Sequence, residues 1–146
     1  MQPSVSSAPS WVSVILRSHG TFLAARIGLS SAYLVGGLVK LFDFQGAVAE
    51  QQHFGMYPAA FWAILTIAVE LIGSAIVISG RLVWLGAGLL GVFTGLAAMV
   101  ANNFWTMQGD ACFAATNAFV EHIGLIAGFV LAAMMAEAFK REQTRN

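Results

Sequence analysis

Apolar positions in this chain gather into four long runs, at about 22–42, 58–80, 82–104 and 114–138, with polar positions in the short segments between them. Each run meets the length of about 20 apolar residues that a helix needs to cross the hydrocarbon layer. The second run opens at Pro58, which suits the first turn of a helix. Only Gly80-Arg81 separates it from the third, so these two spans are expected to form a tight antiparallel hairpin. The predicted fold is all-α: an integral membrane four-helix bundle of antiparallel up-down topology. The domain plan has a disordered or interfacial segment over 1–20, the transmembrane domain over 21–139 and a tail over 140–146. Residues 1–10 read as a Ser/Pro tail, with no basic region of the kind that opens a secretory signal. Trp11 to Leu16 read as a stretch lying at the membrane interface.

Composition agrees with the pattern. Hydrophobic residues make up 58% of the chain and charged residues 10%, against roughly 25% charged in ordinary soluble domains. Net charge is zero and no basic stripe is present, so nucleic acid is not an expected partner. The single cysteine, Cys112, offers neither a disulfide nor a CxxC pair. Arg17, Arg81, Lys140, Arg141 and Arg145 fall on one side of the span plan, and Lys40 alone lies toward the other. The positive-inside rule then places both termini and the Arg81 turn in the cytoplasm. Trp62, Trp84 and Trp105 stand near span ends, where interfacial anchors occur. Rows of small residues, Gly28-Ala32-Gly36 and Ala87-Gly91-Gly95, are expected to be helix-packing grooves.

Four ionisable side chains lie inside the spans, Arg26, Lys40, Glu70 and Glu121, and His122 adjoins the last. A charge at the centre of a span costs roughly 2.5–3.5 kcal/mol on insertion scales, and less near an interface. Lys40 ends its span and can extend its stem outward. Glu70 has no such exit, because its stem is short and it sits about 18 Å from Pro58 at 1.5 Å per residue. Two cations and two anions can neutralise each other, and depth pairs Arg26 with Glu70 and Lys40 with Glu121. Helical spacing puts Thr66, Glu70 and Ser74 on one face and Asn117 with Glu121 on another, so both stripes are expected to face the bundle interior. The candidate pocket for a ligand or a proton is therefore Arg26, Lys40, Glu70, Asn117, Glu121 and His122. The same groups also fit a structural role, as buried polar pairs that set helix register. His53, in "EQQHFGMYP", has no Cys or His at ligand spacing, and no metal site is expected.

Three segments, "RIGLSSAYLVGGLVKLFDFQG" from Arg26, "VELIGSAIVISGR" from Val69 and "NAFVEHIG" from Asn117, together resemble the DoxX-like family of small bacterial four-span membrane proteins. The similarity spans about residues 22–138. It rests on the order of an early arginine, a Gly-x-x-Lys at the end of the first span, and Glu-Leu-x-Gly followed by Gly-Arg. The resemblance implies a multi-pass protein of the bacterial cytoplasmic (inner) membrane, and the positions matching the family pattern are Arg26, Lys40, Glu70 and Glu121. It also implies an association with quinone-linked oxidoreductase complexes, after which the family is named. This chain has no cysteine pair for a thiol relay, and its histidines are not set for haem. No motif binds a cofactor; quinone is the one the resemblance brings in, and no catalytic residue is assigned.

Two functions follow. One is a quinone-interacting or accessory subunit of a membrane oxidoreductase, with Glu70 or Glu121 handling the proton and Arg26 or Lys40 holding a quinone oxygen. The other is a non-catalytic scaffold or assembly subunit whose charges serve folding and docking. A small proton-coupled transporter ranks third, since four spans are few and no inverted repeat is visible. The partners expected are the lipid bilayer, subunits of such a complex, and further copies of the chain in a homo-oligomer.

Overall fold

The computed structural model describes residues 8–143, and every regular element among them is helical. The helices are α1 (Ser10–Leu16), α2 (His19–Phe42), α3 (Phe44–His53), α4 (Ala59–Ser79), α5 (Val83–Ala101) and α6 (Gly109–Gln143), with a 3₁₀ turn at Phe104–Thr106 before α6. Four of them, α2, α4, α5 with its following turn, and α6, are long and apolar enough to cross a membrane. They match the four expected spans. Residues 1–7 of the expected Ser/Pro tail, and Arg145, lie outside the described residues.

Local chemistry sets the boundaries. The Ser18 side chain accepts from the Thr21 backbone N–H at 3.1 Å and caps α2. Asp43 ends α2 and starts α3 by accepting the Gly46 N–H at 2.9 Å. Pro58 immediately precedes α4 and follows a cis bond from Tyr57. Gly80 ends α4 with φ of 77°, the left-handed conformation that glycine adopts without a Cβ clash, and the chain turns straight into α5. The hairpin expected from Gly80-Arg81 is thus formed.

The spans pack in chain order, α2 on α4, α4 on α5, and α5 on α6. Tyr33, Val77, Ala87, Leu90 and Phe129 make the core where the four meet. Outward positions such as Val35, Val39, Ile64, Val92, Leu96 and Val130 are apolar and exposed, the surface that a bilayer covers and water would not tolerate in such extent. The chain is a multi-pass membrane protein.

Two features depart from the sequence reading. The connection after α2 is not a plain loop, because α3 lies there. Phe44, Ala47, Val48 and Gln51 follow the helical spacing i, i+3, i+4, i+7. Ala47 and Gln51 are buried, and Phe44 and Val48 pack with Ala47 against Ala63, Ile67 and Leu71.

The small-residue rows are only partly grooves. Gly28 and Ala32 are exposed, and a Cβ added at Gly28 or Gly91 would meet nothing within 4 Å. Each four-residue step turns about 40° around a helix with 3.6 residues per turn, so a row of three faces its neighbour along one edge only. The close approaches fall elsewhere, at Gly37 under Leu71, Gly73 under Leu90, and Gly86 against the Gly73 carbonyl.

Candidate functional site

The α2–α4 register can be read from three crossings. Gly37 lies against Leu71 and the Glu70 Cβ, Ser74 Oγ donates to the Ser30 carbonyl at 3.4 Å, and the Arg26 guanidinium lies over Gly80. This antiparallel register places Lys40 about a turn beyond Glu70, toward the α3 end. A helical side chain leans toward the N-terminus of its own helix, so the Lys40 stem runs back over Gly36 and into the bundle. The missing Cβ of Gly36 leaves that path open: one built there would stand 3.7 Å from Lys40 Nζ and 3.6 Å from Glu70 Oε2.

Lys40 Nζ donates to both carboxylate oxygens of Glu70, at 3.1 Å and 3.4 Å. From the other side α3 brings Glu50 Oε2 to 3.9 Å from the same ammonium. The three side chains run from rim to interior: that of Glu50 is 44% exposed, that of Lys40 18% and that of Glu70 8%. Two carboxylates around one ammonium hold three separate helices together, α2, α3 and α4.

The pairing expected from depth is therefore corrected. Glu70 pairs with Lys40 and not with Arg26, because Arg26 crosses α4 at Gly80, ten residues or about 15 Å along the helix from Glu70. No arginine side chain spans that. Lys40 does not reach Glu121 either, because α2 and α6 meet at the other end of the bundle. There Phe22 meets Phe139 edge to face with ring centres 4.1 Å apart, and Leu29 lies over Gly128.

Glu121 and Asn117 are corrected as well. Both are exposed on α6 and do not face the interior. The inward positions of α6 are Ala115, Phe119, Ile126 and Phe129. At 100° per residue Asn117 and Glu121 lie on the far side from these. His122 is half-buried, and its Nδ1 shares a hydrogen bond with the Ala118 carbonyl at 2.5 Å, within its own helix. Of the six candidates, the structure brings together Lys40 and Glu70 only.

Three groups escaped the sequence reading. Glu50 joins the cluster because α3 turns it back, and the i, i+3, i+4, i+7 pattern of α3 was the signal. Tyr33 and Thr94 share a buried hydroxyl–hydroxyl hydrogen bond at 2.5 Å, while Thr94 donates to the Leu90 carbonyl at 2.6 Å. Neither residue is ionised in ordinary conditions, so a search for charges passes over both. The third is a cleft of about 630 Å³ at the end remote from Lys40, between α2 and α6 and floored by the Gly80–Arg81 turn, with Arg26 in its wall.

Comparison with known families places this geometry. The DoxX family model matches residues 21–103, more than half of the chain. The chain belongs to the DoxX family. The matched DoxX segment runs from α2 to just past α5 and contains Arg26, Lys40, Glu50, Glu70 and Arg81. Asn117, Glu121 and His122 lie beyond it. Neither curated proteins nor solved structures yield a match to this DoxX chain.

Proposed function

We propose that this chain is an accessory subunit of a membrane oxidoreductase system, in which the Lys40–Glu70–Glu50 cluster fastens the bundle and the redox cofactor belongs to a partner. The observation that carries this reading is the closure of the cluster. Both Glu70 oxygens accept from Lys40, and Glu50 flanks the same ammonium from α3. Such a cluster ties a short helix to two spans and sets both carboxylates against one shared ammonium. Membership of the DoxX family supports the setting, through the quinone-linked complexes that the resemblance implies. Asn117 and Glu121 support a partner, since an outward carboxyl at bilayer depth is costly until another helix, from a second copy or a different subunit, covers it. The positive-inside rule supports cytoplasmic termini in a bacterial inner membrane.

A second reading puts quinone chemistry in the bundle itself. Glu50, Lys40 and Glu70 form a line of exchangeable groups from rim to interior, the arrangement needed by a proton that accompanies quinone reduction. One experiment separates the two. Gently purified wild type and Glu70→Gln are extracted with organic solvent for mass spectrometry, and their unfolding is compared. The accessory reading expects only bulk lipid in both extracts and a less stable variant. Stoichiometric quinone in wild type, lost in Glu70→Gln, would overturn it in favour of the second reading.

A further inference from the structure

The Arg26 cleft is not used by either reading. Arg26 sits on α2, and its guanidinium lies over Gly80, where the absent Cβ leaves room. Its Nε is buried and has no hydrogen-bond partner, and Arg26 forms no ion pair among the described residues. A buried N–H donor left this way is destabilising, and the guanidinium that carries it offers a rigid fork of donors to an incoming anion. The surroundings favour an anion further. Arg81 and Lys140 also line the cleft, with Glu137 the one acid among the described residues there. Apart from His19 and Ser79 the remaining wall is apolar, including Phe22, Leu29, Trp84, Leu131 and Met135. Trp84 is 56% exposed, so the cleft is open toward the lipid side as well as the basic end.

We propose that this cleft binds the phosphate head group of an anionic phospholipid, with Arg26 as the deep ligand, Arg81 at the rim, and acyl chain along the apolar wall. Two physical features select this class. A neutral amphiphile such as a quinone would leave the Arg26 charge without a counter-charge, whereas a phosphodiester accepts two parallel N–H donors from one arginine. The basic end of the bundle is also the one that the positive-inside rule assigns to the leaflet richest in anionic lipid. Basic pockets between spans on that side are known lipid head-group sites.

The test uses the full chain in detergent, titrated with phosphatidylglycerol, phosphatidylcholine or inorganic phosphate, with binding read by native mass spectrometry and by thermal shift. Phosphatidylglycerol is expected to bind saturably to wild type. Arg26→Gln should weaken it by at least about tenfold, the scale of one charge-assisted hydrogen bond. Arg81→Gln alters only an exposed rim residue, keeps the fold, and should weaken binding by a smaller factor. Arg17→Gln changes a basic residue outside the cleft and should leave binding as it is. Equal binding of phosphatidylcholine, or equal stabilisation by inorganic phosphate, would overturn the anionic-lipid assignment. Unchanged phosphatidylglycerol affinity in both Arg26→Gln and Arg81→Gln would overturn the site.

Discussion

Lys40→Met is expected to destabilise the bundle far more than Glu70→Gln, although the two residues share one ion pair. The asymmetry comes from what each change leaves behind. Lys40→Met strands the Glu70 carboxylate, on a side chain 8% exposed and with a stem too short to reach an interface, beside the second acid Glu50. Breaking a buried pair from one side costs about 3–5 kcal/mol, because the remaining charge is uncompensated. Glu70→Gln leaves Lys40 next to Glu50 at 3.9 Å, with a carbonyl oxygen still in place as acceptor. The loss is then an ammonium–carboxylate bond exchanged for an ammonium–carbonyl one, about 1 kcal/mol. The double variant removes both charges and should be more stable than Lys40→Met alone, a coupling well beyond additive behaviour. Equilibrium unfolding in mixed micelles, followed by the fluorescence of the four tryptophans, reads all three variants. Glu70→Gln as costly as Lys40→Met, or a double variant costing the sum of the singles, would refute the reasoning.

Three further outcomes follow from packing. Gly86→Ala would place a Cβ 2.9 Å from the Gly73 carbonyl oxygen, a backbone atom that cannot turn aside. It should cost about 1–3 kcal/mol through separation of α4 and α5, whereas Gly88→Ala, with nothing within 4 Å, should be neutral or stabilising in the same unfolding assay. Thr94→Val should cost more than Tyr33→Phe. Valine leaves the buried Tyr33 hydroxyl without its partner, about 1–3 kcal/mol, while Tyr33→Phe leaves Thr94 still donating to Leu90. Phe129→Ala, at a side chain 1% exposed in the core between Tyr33 and Leu90, should cost about 3–5 kcal/mol, and a loss under 1 kcal/mol would contradict the packing described.

The sequence alone determined the number of spans, the Gly80-Arg81 hairpin, the gathering of Arg17, Arg81 and Lys140 at one end, and that Arg26, Lys40, Glu70 and Glu121 fall within the apolar helices. These depend on composition and length, because a bilayer demands about 20 apolar residues per crossing and tolerates few charges within. Which charges meet was decided by tertiary structure. Position along a span gives depth, but pairing needs the register between helices and the rotation of each about its axis, both set by side-chain packing. The register placed Arg26 at Gly80 and Lys40 over Gly36. The rotation of α6 turned Asn117 and Glu121 outward, and no apolar stripe announced it, because in a helix bathed by lipid the outward face is as apolar as the inward one. Glu50 joined the site because α3 folds back onto α4 through Ala47, Ala63 and Ile67; the local spacing of α3 marks an amphipathic helix, but what its apolar face packs on depends on contacts distant in the chain.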